Sequence, residues 1–526
     1  MNTDSSRSDR VDDIKAHPQG EIRGATKRVN FLTRRFAHAP EGTAALFFIQ
    51  IFSTLGFAVL YSTLVLYATK HLNLPVKMAT VLMGVFGAFN YGLHLFGGYL
   101  GGRFLSNRNL FVGGMALQVI GCACIATGTL ALFYVGLALF LTGSGLNVTC
   151  INMMLTQRFT PEDPRREGAF LWNYAGMNVG FFVGFSAAGH FQATESYSSL
   201  FIFATLGNFA SIILVLLNWK TLTDRNTPLL DKTPKQFRLR QLAGIGILIG
   251  LVPVVWFMLQ RPGGTEIILK AICAVVALML IYLTVRHSDR REQRNMTAYL
   301  ILTVGSLMFW SLYQMAPNGL MLFAVNNVNL KVGPVMIQPQ WIQNINTVCI
   351  VLGGPLLASL FTRLRARGWR IDIPKQFAAS LLLMALAFLI LPVGIKLAGD
   401  GKSAFAWLFW SYVLQSIGEL LISPIGYAMI GKLAPRQYQG VMMGSWMLWT
   451  GLASLFAGDF SGMIPNPTGT TAVDTNAGYA KLFTELGLVT LAVGIGLVVL
   501  IPLLRKLITD KAETPPVEAA AVVPVA

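Results

Sequence analysis

The chain has 526 residues, 54% hydrophobic and only 12% charged, whereas an ordinary soluble domain is about 25% charged. A mean hydropathy of +0.57, with apolar runs of about eighteen residues or more from end to end, excludes a single soluble core and indicates a polytopic membrane protein. The formal net charge of +17 would suit nucleic acid, but the placement of the charges rules that partner out.

Residues 1–42 mix charges without an apolar centre, so they read as a disordered cytoplasmic tail and not as a signal peptide. Apolar spans are then predicted near 43–69, 78–102, 110–128, 130–156, 168–190 and 197–219, making an N-terminal six-helix bundle over 43–222. The first holds QIFSTLGFAVLYSTLVLYATKHL (50–72), which has no formal charge before Lys70. A linker, 223–295, carries two more spans at 241–260 and 266–285, turned by QRPGGTE. These two helices are apolar nearly all round and short of polar anchors, which suits lipid contact. Spans near 296–324, 341–362, 376–395, 403–430, 441–463 and 482–504 form a C-terminal bundle, 296–506, before a disordered cytoplasmic tail, 507–526. With the N-terminus inside, 33 of the 41 Lys and Arg fall on the inner side and 8 on the outer. That asymmetry is the positive-inside rule, so both termini are placed in the cytoplasm, an inner (plasma) membrane is expected, and the basicity is topological.

The predicted fold is therefore all-α, with about fourteen transmembrane helices. Two six-helix bundles with an inserted hairpin match the layout of the major facilitator fold, which places its site between the halves at mid-membrane. Glycines 97, 98, 101, 102, 353 and 354 favour close helix packing, and Pro317, Pro355 and Pro424 interrupt spans, as kinks or near the site. All five cysteines lie in apolar spans and read as packing residues. No nucleophile–base constellation, metal spacing or phosphate loop is evident, so neither an enzyme nor a metalloprotein is expected.

Four stretches resemble the proton-dependent oligopeptide transporter (POT, or PTR) family, in its bacterial branch with the extra hairpin. They are GSGLNVTCINMML (143–155), TPEDPRREGAFLWNYAGMNVG (160–180), LYQMAPNGLMLFAVNNV (312–328) and QSIGELLISPIGYAMIGKLAPRQYQGVMMGSW (415–446). The resemblance implies alternating access and a central cavity for di- or tripeptides or similar solutes. It also exposes departures. The family's first-helix E-x-x-E-R pattern falls on Gln50, Ser53 and Thr54, its fourth-helix lysine on Val148, and the aspartate of its second-to-third-helix loop on Gly102, with Arg103 kept. In the family those ions exchange a proton and attract the peptide carboxylate. Gln50, Ser53 and Thr54 hydrogen-bond but do not titrate, and Val148 does neither. A substrate carboxylate therefore loses its charge-assisted clamp, and neutral or amine-bearing solutes should be favoured.

Glu419 in GELLISP is the conspicuous remaining charge. A charge at mid-bilayer costs about 3 kcal/mol on insertion scales, so its retention points to function: holding an ammonium or carrying the one remaining proton. The structural alternative is a packing carboxyl that fixes two helices. By resemblance, Tyr91, Tyr174, Asn178, Gln343, Asn346, Ser423 and Trp446 join Glu419 as substrate-binding candidates. Asn178 and Asn346 also fit as interhelical hydrogen bonds, and Trp446 as a bundle aromatic. His94 reads as a hydrogen-bonded helix contact in preference to a proton relay. No cofactor is expected, protons being the candidate coupling ion; the expected partners are a peptide-like small molecule and the bilayer, with no nucleic acid, and the state is a monomer. Two other readings stand beside this one: an exporter or antiporter of a non-peptide metabolite such as a peptide-like siderophore, and a non-transporting receptor or scaffold.

Overall fold

The computed structural model describes residues 40–160, 163, 165–194, 196–435, 437–464 and 472–508. Apart from their innermost residues, the two predicted tails lie outside the described residues. The unit considered begins at Glu41.

Six helices build the first bundle: α1 (Thr43–Leu66), α2 (Val76–Leu100), α3 (Asn107–Ala126), α4 (Leu130–Thr156), α5 (Arg165–Ala193) and α6 (Tyr197–Leu217). The hairpin is α7 (Pro234–Leu259) and α8 (Pro262–Val285). The second half runs through α9 (Arg290–Tyr313), the short α10 (Gly319–Asn327), α11 (Gln343–Ala366), α12 (Ile373–Ala398), α13 (Phe405–Leu433), α14 (Gln439–Gly462) and α15 (Ala472–Leu507). Thirteen helical segments of the described residues are long and apolar enough to cross a membrane. Helix α5 matches the remaining predicted span in place and, at 29 residues, has the length to cross. It is more polar, with Asn173, Tyr174, Asn178 and Gln192 on it, because one face lines the central cavity.

Local sequence explains the helix starts at the basic end of the bundle. The side chains of Ser106, Asp289 and Asp372 accept backbone N–H bonds from Asn109 (3.3 Å), Arg291 (2.8 Å) and Lys375 (3.2 Å), which caps α3, α9 and α12. Pro374 sits in the first turn of α12, where its missing N–H costs nothing. The single span predicted over 296–324 is broken instead. α9 stops at Tyr313 and α10 starts at Gly319, with Pro317 in the turn between them; proline has no N–H to continue the ladder. Pro355 and Pro424 stay within continuous helices. Of the glycine cluster in the second span, Gly97 packs on Leu146 and Thr149 of α4, whereas Gly98 meets only the Thr149 methyl at ordinary contact distance.

The halves meet along α2 and α14. At the far end, opposite the basic loops, hydrogen bonds between uncharged groups cross from half to half. Tyr61 donates to Gln314 Oε1 (2.9 Å), Gln314 Nε2 donates to the Tyr91 hydroxyl (3.0 Å), and Asn318 Nδ2 to the Thr80 carbonyl (3.0 Å). Trp341 and Asn344 both reach Ser186.

The hairpin corrects one sequence reading. Its outer faces are apolar and exposed, as at Leu242, Ile249, Ile267, Val275 and Leu278, which suits lipid. It is nonetheless polar-anchored: Lys270 of α8 bonds to Glu266 one turn away and to Asp459 of α14, and lies over the Phe456 ring at 5.4 Å. Asp459 thus ties the hairpin to the second half.

Candidate functional site: a central cavity with one acid

Between the halves lies a cavity of about 690 Å³, a size suited to a small organic ligand. All twelve positions singled out from the sequence line it: Gln50, Ser53, Thr54, Tyr91, Val148, Tyr174, Asn178, Gln343, Asn346, Glu419, Ser423 and Trp446. They come from α1, α2, α4, α5, α11, α13 and α14, so only the tertiary fold assembles them. The far-end hydrogen bonds close one approach. Toward the basic end, the lining residues Leu171 and Tyr174 are exposed, so the cavity is reached from that side.

On the N-terminal wall the first-helix positions form a neutral network. Gln50 Nε2 donates to Thr54 Oγ1 (2.9 Å), one helical turn away, and Asn173 Nδ2 of α5 donates to Gln50 Oε1 (3.3 Å). The Ser53 hydroxyl donates to its own helix at the Gln50 carbonyl (3.2 Å). All three first-helix side chains are buried, and none can hold a charge. α5 approaches α1 closely enough for this because of Gly180: a methyl there would come within 2.5 Å of the Ile51 carbonyl oxygen. Asn178 Nδ2 donates to the Tyr174 carbonyl (2.9 Å) within α5; no hydrogen bond of its side chain to another helix is described, so the interhelical role read for it has no support here.

On the C-terminal wall stands Glu419. Asn346 Nδ2 donates to its Oε2 at 2.7 Å and also reaches Ser416 Oγ at 3.1 Å. The Tyr313 hydroxyl lies nearby on the same wall. No lysine, arginine or histidine among the described residues reaches Glu419 within 4.0 Å. Asn346 therefore joins α11 to α13 and touches the acid, so the site and interhelical roles weighed for it coincide. Gln343 is buried with its Nε2 unpartnered. Trp446 is 3% exposed, packed against Gly426 with its ring 6.5 Å from that of Phe377, so it is a bundle aromatic with one edge on the cavity.

Among the described lining residues Glu419 is the only formally charged side chain; there is no lysine or arginine, and the only histidine is His94. Its Nε2 is buried without a partner, so the hydrogen-bonded contact expected from sequence is absent at that atom. Sequence reasoning missed Asn173, Gln118, Asn147, Tyr313 and Gln314. A polar side chain at mid-span in an apolar helix was the available signal for the first three. For Tyr313 and Gln314 the signal was the helix break at Pro317.

A model of the POT family matches residues 104–479 of the chain. The dipeptide and tripeptide permease A of Cronobacter turicensis is 29% identical over 475 residues, covering 89% of this chain and 93% of the relative. That of Salmonella typhimurium is 28% identical over 478 residues, covering 90% and 94%. Among solved structures, a peptide transporter POT in complex with sulfate superposes with a TM-score of 0.78 at 24% identity, covering 89% of this chain and 96% of its own. A POT family transporter in complex with 5-aminolevulinic acid gives 0.76 at 21%, covering 88% and 97%. The helical architecture, the major facilitator fold of these neighbours and the family match over most of the chain agree: this chain belongs to the POT family, and it is a membrane transporter and not an enzyme.

Proposed function

We propose that the chain carries di- or tripeptides, or peptide-like amine-bearing solutes, by alternating access between its two halves. It works as a monomer in a bacterial inner membrane, with both termini in the cytoplasm. Glu419 receives the solute ammonium, and Asn346 and Tyr313 orient its carboxyl. The first-helix network of Gln50, Ser53 and Thr54 contributes shape and hydrogen bonds but exchanges no proton, so any proton coupling runs through Glu419. The observation that carries this reading is a single acid, and no lysine or arginine, among the described residues that line the cavity. A charge-assisted ammonium–carboxylate bond is about twice as strong as a neutral one, and here it has one place to form.

The test is counterflow in proteoliposomes. Exchange of labelled dialanine or its amide without a proton gradient supports the carrier. Acid-driven dialanine uptake that persists in Glu419→Gln refutes the assignment of coupling to that residue. A lack of exchange with every probe points to a non-transporting receptor.

A further inference from the structure

The N-terminal half holds a buried polar niche that the reading above leaves unused. Ser144 of α4 donates to Asn90 Oδ1 of α2 at 3.2 Å, Leu93 lies against Gly145, and Gly97 lies against Leu146 and Thr149. The two helices thus run in step, and His94 falls near the level of Leu146 and Asn147. From the other side α3 comes in very close: a methyl at Gly143 would sit 2.1 Å from the Gly114 carbonyl oxygen. That approach puts Gln118 beside Asn147. Gln118 and Asn147 are 1% and 4% exposed, yet both line the cavity, as does His94.

These groups are poorly satisfied. Gln118 Nε2 (3.4 Å) and Asn147 Nδ2 (2.7 Å) both donate to the sulfur of Met115, a weak acceptor. Gln118 Oε1, Asn147 Oδ1 and His94 Nε2 are buried with no partner at all. Buried polar groups are nearly always paired, and those left over at a cavity wall mark a place for a ligand or an ordered water.

We propose that this niche is the subsite for the neutral carboxamide end of a peptide-like solute whose ammonium lies on Glu419. The proposal rests on the transport reading above and specifies the solute at the opposite wall. A carboxamide both donates and accepts, so it pairs with Gln118 and Asn147 whichever way their amides face, and with His94 in either tautomer. A carboxylate only accepts. With the Gln118 and Asn147 nitrogens held on Met115, it would meet their oxygens lone pair to lone pair, and among the described lining residues no lysine or arginine would offset its desolvation. Val148 adds an apolar neighbour where the carriers that this chain resembles hold a lysine. The acid at one wall and the amides at the other select a monocation with a blocked C-terminus over a zwitterion.

The experiment measures Kd for three probes on the purified full chain: alanyl-alaninamide, alanyl-alanine methyl ester and dialanine. The first two carry the same charge; the ester exchanges the amide NH2 for OCH3, which removes the donors and adds one methyl group. The expected order is amide tightest, ester about tenfold weaker for the lost hydrogen bonds, and dialanine weakest. Gln118→Met, with its unliganded melting temperature as the check on folding, should bring amide and ester within about threefold of each other. Val148→Lys should move preference toward dialanine. An ester that binds as well as the amide overturns the niche while leaving the acid's role intact. So does an amide preference unchanged in Gln118→Met. Dialanine binding tighter than both overturns the charge selection as well. Silence from all three, together with no counterflow, refutes the transport reading on which the niche depends.

Discussion

Two carboxylates, one buried in the linker and one half-buried in the second half, have opposite surroundings. Asp224 stands in the linker just after α6 and is 6% exposed. It accepts from the Asn107 backbone N–H at 2.9 and 3.1 Å and from Asn107 Nδ2 at 3.2 Å, with Arg108 and Arg158 nearby. It therefore sits on the positive N-terminus of α3, and its bonding capacity is used by the fold. Glu419 accepts from one amide, with a tyrosine hydroxyl nearby and no cation among the described residues within 4.0 Å, and it faces the cavity. The contrast teaches how to separate an acid that builds structure from one that waits for a ligand: the first is surrounded by fixed donors, the second keeps an open side.

If the contrast is sound, Glu419→Gln should give the largest effect. Replacing the ionic acceptor with a neutral one should weaken an amine-bearing solute by roughly ten- to a hundredfold, because hydrogen bonds to charged groups are worth about 1.5–3 kcal/mol. Calorimetric Kd values for alanyl-alaninamide check this, and an unchanged Kd would make Glu419 another structural acid. Asp224→Ala should do the reverse. Losing its bonds to Asn107 at the start of α3, with the Ser106 cap left in place, should cost about 1–2 kcal/mol of stability, read as a lower melting temperature, while solute affinity holds.

A smaller effect is expected at the hairpin. Lys270→Met leaves Asp459 and Glu266 without their cation, but the group is partly exposed, so the loss should stay within about 1 kcal/mol. Melting curves in detergent should move slightly and counterflow should not. A collapse of counterflow would give the hairpin a part in the transport cycle. The smallest effect concerns pH. Burial holds the Asp224 carboxyl above its ordinary range despite the Asn107 hydrogen bonds. A proton held more tightly in the folded chain contributes stability at low pH that is lost as pH rises from about 4, the unfolded value, through the raised folded value. Asp224→Asn should flatten that slope, and an equally steep pH–melting profile in the variant would show that another group causes it.

Much of the architecture was legible in the sequence because lipid imposes a simple code. Apolar runs long enough to cross, with basic loops on one side, define the spans, and the inserted hairpin shows as two such runs between charged loops. The code weakened where function intrudes. α5 is the most polar of the predicted spans because it lines the cavity, and the span over 296–324 breaks where Gln314 crosses to Tyr61 and Tyr91. The missing ions at Gln50, Ser53, Thr54 and Val148 could also be read directly, since absence of a charge is a property of the residue alone.

Pairing is not such a property. The sequence by itself determined a membrane-spanning helical chain with two six-helix halves and one retained acid in its second half. Tertiary structure alone decided that Asn346 donates to that acid, that Lys270 ties the hairpin to Asp459, and that Gln118, Asn147 and His94 line one cavity with atoms unpartnered. The physical reason is range: hydropathy and charge act along the chain over one helix, whereas hydrogen bonds form only within about 3 Å, between helices distant in sequence.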